Sequence, residues 1–180
     1  MRCRASPRLF LSLVVALALA PSVARADDAC AAFTWDVAHE RALFAEEPQP
    51  TSAARSPTAA PPLAPERLYQ LQLSEQSQVT FAAPPGAKPR GESTYAGLAR
   101  LTVDASGVYR IALSDAVWVD AVVNGAALGA RDFQGRPGCN APHKVLEFEL
   151  PGKTPVTLQF SASRLAAVEV TVTRVPAGTR

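Results

Sequence analysis

From Leu68 onward the chain alternates apolar and polar side chains with a period of two, and that pattern commits it to β-structure. LYQLQL sets Tyr69, Leu71 and Leu73 against Gln70 and Gln72. QVTFA places Val79 and Phe81 together. KVLEFEL points Leu146, Phe148 and Leu150 one way and Glu147 and Glu149 the other. VTLQF and VEVTVTRV repeat the pattern with Val156, Leu158 and Phe160, then with Val168, Val170 and Val172. GLARLTV and GVYRIAL flank the turn residues Asp104 to Gly107 and read as a hairpin, while AVWVDAVV runs into Asn124 and Gly125, the strongest short hairpin signal. Polar outer positions imply that at least one sheet has a far side turned to water. About eight short strands separated by Gly and Pro turns predict an all-β fold, an antiparallel two-sheet β-sandwich of jelly-roll type. A small closed barrel is the alternative.

The residues before Leu68 follow other rules. Arg2, Arg4 and Arg8 precede the apolar run of residues 9–20, and Ala24 and Ala26 flank Arg25. A basic start, a short apolar centre and small residues at the end describe a secretory signal peptide over residues 1–26. The run falls short of the ~20 residues a membrane-spanning helix needs, and no later apolar run is long enough to span. Residues 27–47 form an N-terminal segment in which Asp36 precedes helix formers. A short helix is expected over residues 37–45, capped by Asp36, with Val37, Arg41 and Phe44 on one face and Glu40 beside them. So short a helix is marginal alone and must bury its aromatic residues elsewhere. Residues 48–66 carry six prolines and many small residues, and are expected to be a linker without regular structure. Residues 67–180 complete the β-sandwich domain.

Removal of residues 1–26 takes away four basic residues and no acidic ones. The remaining chain has 14 basic residues against 16 acidic, so its net charge moves from +2 to −2. No later segment is a block of like charge, which leaves no electrostatic footprint for nucleic acid and no reason for stable membrane association after cleavage. Cys3 leaves as well. The remaining cysteines, Cys30 and Cys139, are an even pair in an exported chain, for which one disulfide is the simplest reading. Free thiols or metal ligation are the alternatives. The bridge would clamp the N-terminal segment onto the sandwich and make DFQGRPGCNAPHK, residues 132–144, a pinned loop in which Gly135, Pro137, Gly138 and Pro142 break any strand.

Catalytic motifs are sparse. His39 and His143 are the only histidines, about a hundred residues apart. With an acidic residue they could supply a mononuclear iron site by number, but their spacing carries no ligand pattern. Cys139 and His143 match a thiol and its base by type, but a bridged Cys139 has no thiolate. No Gly-x-Ser-x-Gly elbow is present. Glu147 and Glu149, two apart, share one outward strand face, whereas a glycosidase pair normally comes from separate strands. Trp118 is opposite in phase to Val117 and Val119 and shares its face with Asp120 and Val122. A tryptophan in a strand is most often core. With Asp120 on the same face, this pair is the candidate ligand face.

CAAFTWDVAHERALF, YAGLARLTV, GVYRIAL, DFQGRPGCNAPHKVLEFELPG and VTLQFS together resemble short exported bacterial proteins of unestablished function, over most of residues 30–173. Some members of that group carry the label homogentisate 1,2-dioxygenase, which implies an iron cofactor and ring cleavage. The dioxygenases of that name are longer intracellular cupin-type enzymes with several motif histidines, and no iron-ligand motif maps onto His39 or His143. The strand order also resembles the non-catalytic jelly-roll domains appended to secreted peptidases. The expectation is therefore a periplasmic or secreted, disulfide-stabilised β-sandwich without a cofactor, binding an envelope protein or a small ligand. The alternative is an iron-dependent ring-cleaving dioxygenase.

Overall fold

The computed structural model describes residues 29–87 and 94–176. The signal peptide expected over residues 1–26 lies outside them. Twelve strands among the described residues form two facing six-stranded sheets, so the all-β sandwich stands. Sheet A runs β1 (Gln49–Ser52), β3 (Tyr69–Gln72), β12 (Ala167–Arg174), β6 (Gly107–Leu113), β10 (Lys144–Leu150) and β9 (Asp132–Gly135). Sheet B runs β2 (Pro62–Leu63), β5 (Tyr95–Leu101), β11 (Val156–Ser163), β7 (Trp118–Val123) and β8 (Ala126–Leu128), with β4 (Ser74–Glu75) also paired to β5. The side chains that alternation pointed inward meet between the sheets. Leu71, Ile111, Phe148 and Val170 from sheet A pack with Leu101, Leu158 and Phe160 from sheet B, all essentially without solvent exposure.

Two expectations about pairing fail. The strand count is twelve rather than about eight, and neither sheet is purely antiparallel, because β1 pairs with β3 and β2 with β5 in parallel. Both parallel strands come from residues 48–66, the segment expected to lack regular structure. Gln49 and Ala53 donate their N–H groups to the carbonyls of Leu68 and Gln72, so the odd positions face β3 and Pro50 falls on the side away from the ladder. Proline is tolerated at such an edge because its missing donor is not called upon. Ala53 and Leu63 join the core, and Pro57–Ala59 form a 3-10 turn. This segment is the border of both sheets rather than a linker. Proline content argues against central strands; it does not argue against edges.

The hairpin expected at Asp104 to Gly107 does not form either. β5 lies in sheet B and β6 in sheet A, so the turn crosses the sandwich, and each strand finds its partners far along the chain: β11 for β5, and β10 and β12 for β6. Val79 and Phe81 belong to no strand; they follow a 3-10 turn at Gln76–Gln78 and are half-buried. By contrast, Asn124 and Gly125 turn β7 into β8 with φ of 51° and 78°, and Val123 faces Ala126. Two consecutive left-handed residues match the twist of the flanking strands, and glycine takes the second without steric cost.

Helix α1 (Ala38–Leu43) starts one residue later than expected and ends two earlier. The Asp36 carboxylate accepts the Ala38 N–H at 3.0 Å. Its inward face is Val37, Glu40 and Leu43 rather than Val37, Arg41 and Phe44; Arg41 is exposed and Phe44 half-buried. Val37, with Phe33, Trp35 and Phe44, packs on Ala112 and Val145, the outward side of sheet A. Glu40 is buried there. It accepts a hydrogen bond from Thr173 Oγ1 at 2.6 Å and lies 3.6 Å from Arg110, which also binds Glu147 at 3.1 Å and donates to the Asp36 carbonyl at 2.6 Å. A buried carboxylate is tolerable only with such partners.

Candidate functional site

Alternation along β7 drives the site. Val117, Val119 and Ala121 face the core, so Trp118 and Asp120 must face outward from sheet B. Across β11 and β5, Gln159 stands beside Asp120 on one side and Leu98 on the other. Residues 82–87 lie over this row. Gln159 is fully buried and holds them: its Oε1 accepts the N–H groups of Ala82 and Ala83 at 3.1 and 3.2 Å, and its Nε2 donates to the Ala83 carbonyl at 3.1 Å and to Asp120 Oδ2 at 3.2 Å. Asp120 completes the latch. Oδ2 accepts Gly86 N–H at 3.1 Å, and Oδ1 accepts the Trp118 indole N–H at 2.8 Å.

The two members of the candidate ligand face therefore take different parts. Asp120 is 8% exposed with both oxygens committed to the protein, so it positions rather than contacts. Trp118 is 42% exposed, with its one polar atom turned inward, so it presents only apolar ring. Gly86 is required by this packing: a Cβ there would come within 2.7 Å of the indole nitrogen and 2.9 Å of Asp120 Oδ1. Those distances are too close for any side chain.

Beside Trp118 opens a cleft of about 770 Å³ whose walls come from both sheets. Phe133 of β9, 63% exposed, stands on one side. Lys144, the first residue of β10, lies within it, its Nζ 5.4 Å from the Trp118 ring centre and 5.9 Å from that of Phe133, with one N–H given to the Val117 carbonyl at 3.0 Å. Both ring distances fall within the range of attraction between a cation and an aromatic face. Burial pushes the Lys144 ammonium below its ordinary pKa of 10.5, and the nearby Asp120 carboxylate partly offsets this. Asp115 and Arg164 complete the charged lining.

None of Gly86, Phe133, Lys144, Gln159 and Arg164 stands out in the sequence. Each sits in a segment with its own local explanation, and only packing gathers them around Trp118.

The remaining sequence candidates lie elsewhere. Cys30 and Cys139 are bonded, with S–S 2.10 Å and Cα–Cα 5.0 Å, which removes Cys139 as a nucleophile. The stretch expected as a pinned loop is so only in part: residues 132–135 form the edge strand β9 on β10, and the turn proper follows from Arg136 to His143. His143 Nδ1 donates to the Cys139 carbonyl at 3.0 Å. His39 is exposed and pairs with Glu66. Glu147 and Glu149 are taken by Arg110 and Arg131. Among the described residues no group of three or more His, Cys, Asp or Glu side chains is arranged to hold a metal ion, so the donor set does not fit the iron that the dioxygenase label implies. Comparison with protein-family models, with curated proteins and with solved structures gives no match to this chain.

Proposed function

We propose that this chain is an exported, disulfide-stabilised binding module, periplasmic or secreted, that takes a small ligand or an envelope partner in the cleft beside Trp118 without transforming it. The observation that carries this reading is the indole itself: half-exposed, and locked by Asp120 and Gly86 with its apolar ring outward. A large apolar surface held rigid beside a few converging polar groups is the ordinary make-up of a ligand site, since little freedom is lost on binding. Ring cleavage would need two histidines and a carboxylate converging on one metal. His39 is engaged with Glu66 and His143 with a backbone carbonyl.

The test is a two-dimensional NMR titration of the exported protein with fragment and oligosaccharide sets, following the indole N–H signals. Trp118 is assigned by the loss of its signal in Trp118→Phe. Binders should shift Trp118 and Gly86 together and leave the Trp35 indole unmoved. Shifts confined to Trp35 and the N-terminal segment would overturn the assignment of the cleft.

A further inference from the structure

Resting on that reading, we propose that the cleft selects a ring that bears a carboxylate, with the ring face against the Trp118 and Phe133 side chains and the carboxylate on Lys144, with Arg164 as a second cation.

The placement of Lys144 carries the argument. An ammonium has three N–H donors; one goes to the Val117 carbonyl, which leaves two at the cleft, between two aromatic side chains. Aromatic faces attract the cation but accept no full hydrogen bond from it. The Asp120 carboxylate acts on it electrostatically, yet both of its oxygens are held by Trp118, Gly86 and Gln159. The charge is thus partly desolvated without a direct anionic hydrogen-bond partner, and an incoming carboxylate would supply one. Arg164, in the turn after β11, takes part in none of the ion pairs found among the described residues. Asp115, the acid on the lining, gives one oxygen to the N–H of Ala116 at 2.6 Å. On the lining two cations stand against one acid, which favours a single negative charge. The two flanking rings favour a ligand whose charged group is attached to a flat body.

Acidic sugars and aryl carboxylates share this chemistry. The experiment measures binding of the full exported chain, by titration calorimetry and by the Trp118 indole signal, to oligogalacturonate and to benzoate, each beside a neutral counterpart, methyl-esterified oligogalacturonate and benzamide, with inorganic phosphate as a control. One acid should bind at least about tenfold tighter than its neutral counterpart, as loss of a charge-assisted hydrogen bond implies, and which acid does so identifies the source. Lys144→Met should remove that preference, and Arg164→Gln, at an exposed turn that leaves the fold alone, should weaken the acid about threefold. Equal binding of acid and neutral probes at Trp118, or phosphate binding as tightly as the acids, would overturn the carboxylate inference while leaving the cleft as the binding site. No shift of Trp118 with any probe at millimolar concentration would overturn both.

Discussion

The outward faces of the two sheets both carry chain from outside the strands, and it is held there by different means. On sheet A, residues 29–46 are fastened at one end by Cys30–Cys139 and along their length by Arg110, which reaches Glu40, Glu147 and the Asp36 carbonyl and lies 5.1 Å over the Trp35 ring. Thr34 and Gln134 exchange two hydrogen bonds, and Arg136 donates to the Ala32 carbonyl. On sheet B, residues 82–87 are held by one amide and one carboxylate, Gln159 and Asp120. The described part of the second cover reaches Ala87, and Gly86 and Ala87 line the cleft beside it. A covalent bond and a buried cation can hold an element too short to be stable alone. Hydrogen bonds to one buried glutamine hold only the residues they touch and leave the neighbouring aromatic open to a ligand.

Breaking the sheet A cover should have the largest effect. The bridge spans 109 residues, and Cys30→Ser with Cys139→Ser should lower unfolding free energy by about 5 kcal/mol on the chain-entropy model. Amide exchange should rise over residues 29–46 while the Trp118 indole signal stays in place. Movement of that signal would show that the two covers are coupled. Next comes the sheet B latch. Gln159→Leu keeps the volume but strands the N–H groups of Ala82 and Ala83, and should cost about 2–3 kcal/mol in urea denaturation. Here faster exchange should be confined to residues 82–87, with Asp120 and Trp118 losing their fixed orientation. Unchanged exchange at those amides would mean that Gln159 is not what holds them.

The smallest effect sharpens the comparison at the rim of the sheet A cover. The hydrogen bond to Glu66 raises the His39 pKa above its ordinary 6.5; burial opposes this, and the charges of Glu66, Glu40 and Glu46 support it. A raised folded-state value means stability that is fully present below pH 6.5 and lost as pH rises through the folded pKa. His39→Gln should therefore lower Tm slightly at about pH 5.5 and leave it unchanged at about pH 9. An equal loss at both values would mean that the contact is packing, not charge.

The sequence by itself determined which side chains face which way. Val117 and Val119 inward and Trp118 and Asp120 outward follow from a backbone that alternates every residue, and so do the core positions of β10, β11 and β12. The Asn124 and Gly125 turn was equally legible, because its conformation depends on those two residues alone. The pairing of Cys30 with Cys139 followed from a count of two cysteines in a chain whose start reads as an export signal. Tertiary structure decided the rest. The partners of β5 and β6, the recruitment of residues 48–66 as parallel edges and the burial of Glu40 under α1 all depend on what a strand or side chain meets far along the chain. Alternation carries no information about that meeting, since the same pattern serves either sheet. The cleft is the extreme case. Gly86, Trp118, Phe133, Lys144 and Arg164 come from five separate segments, and only the closing of one sheet over the other places an ammonium between two rings.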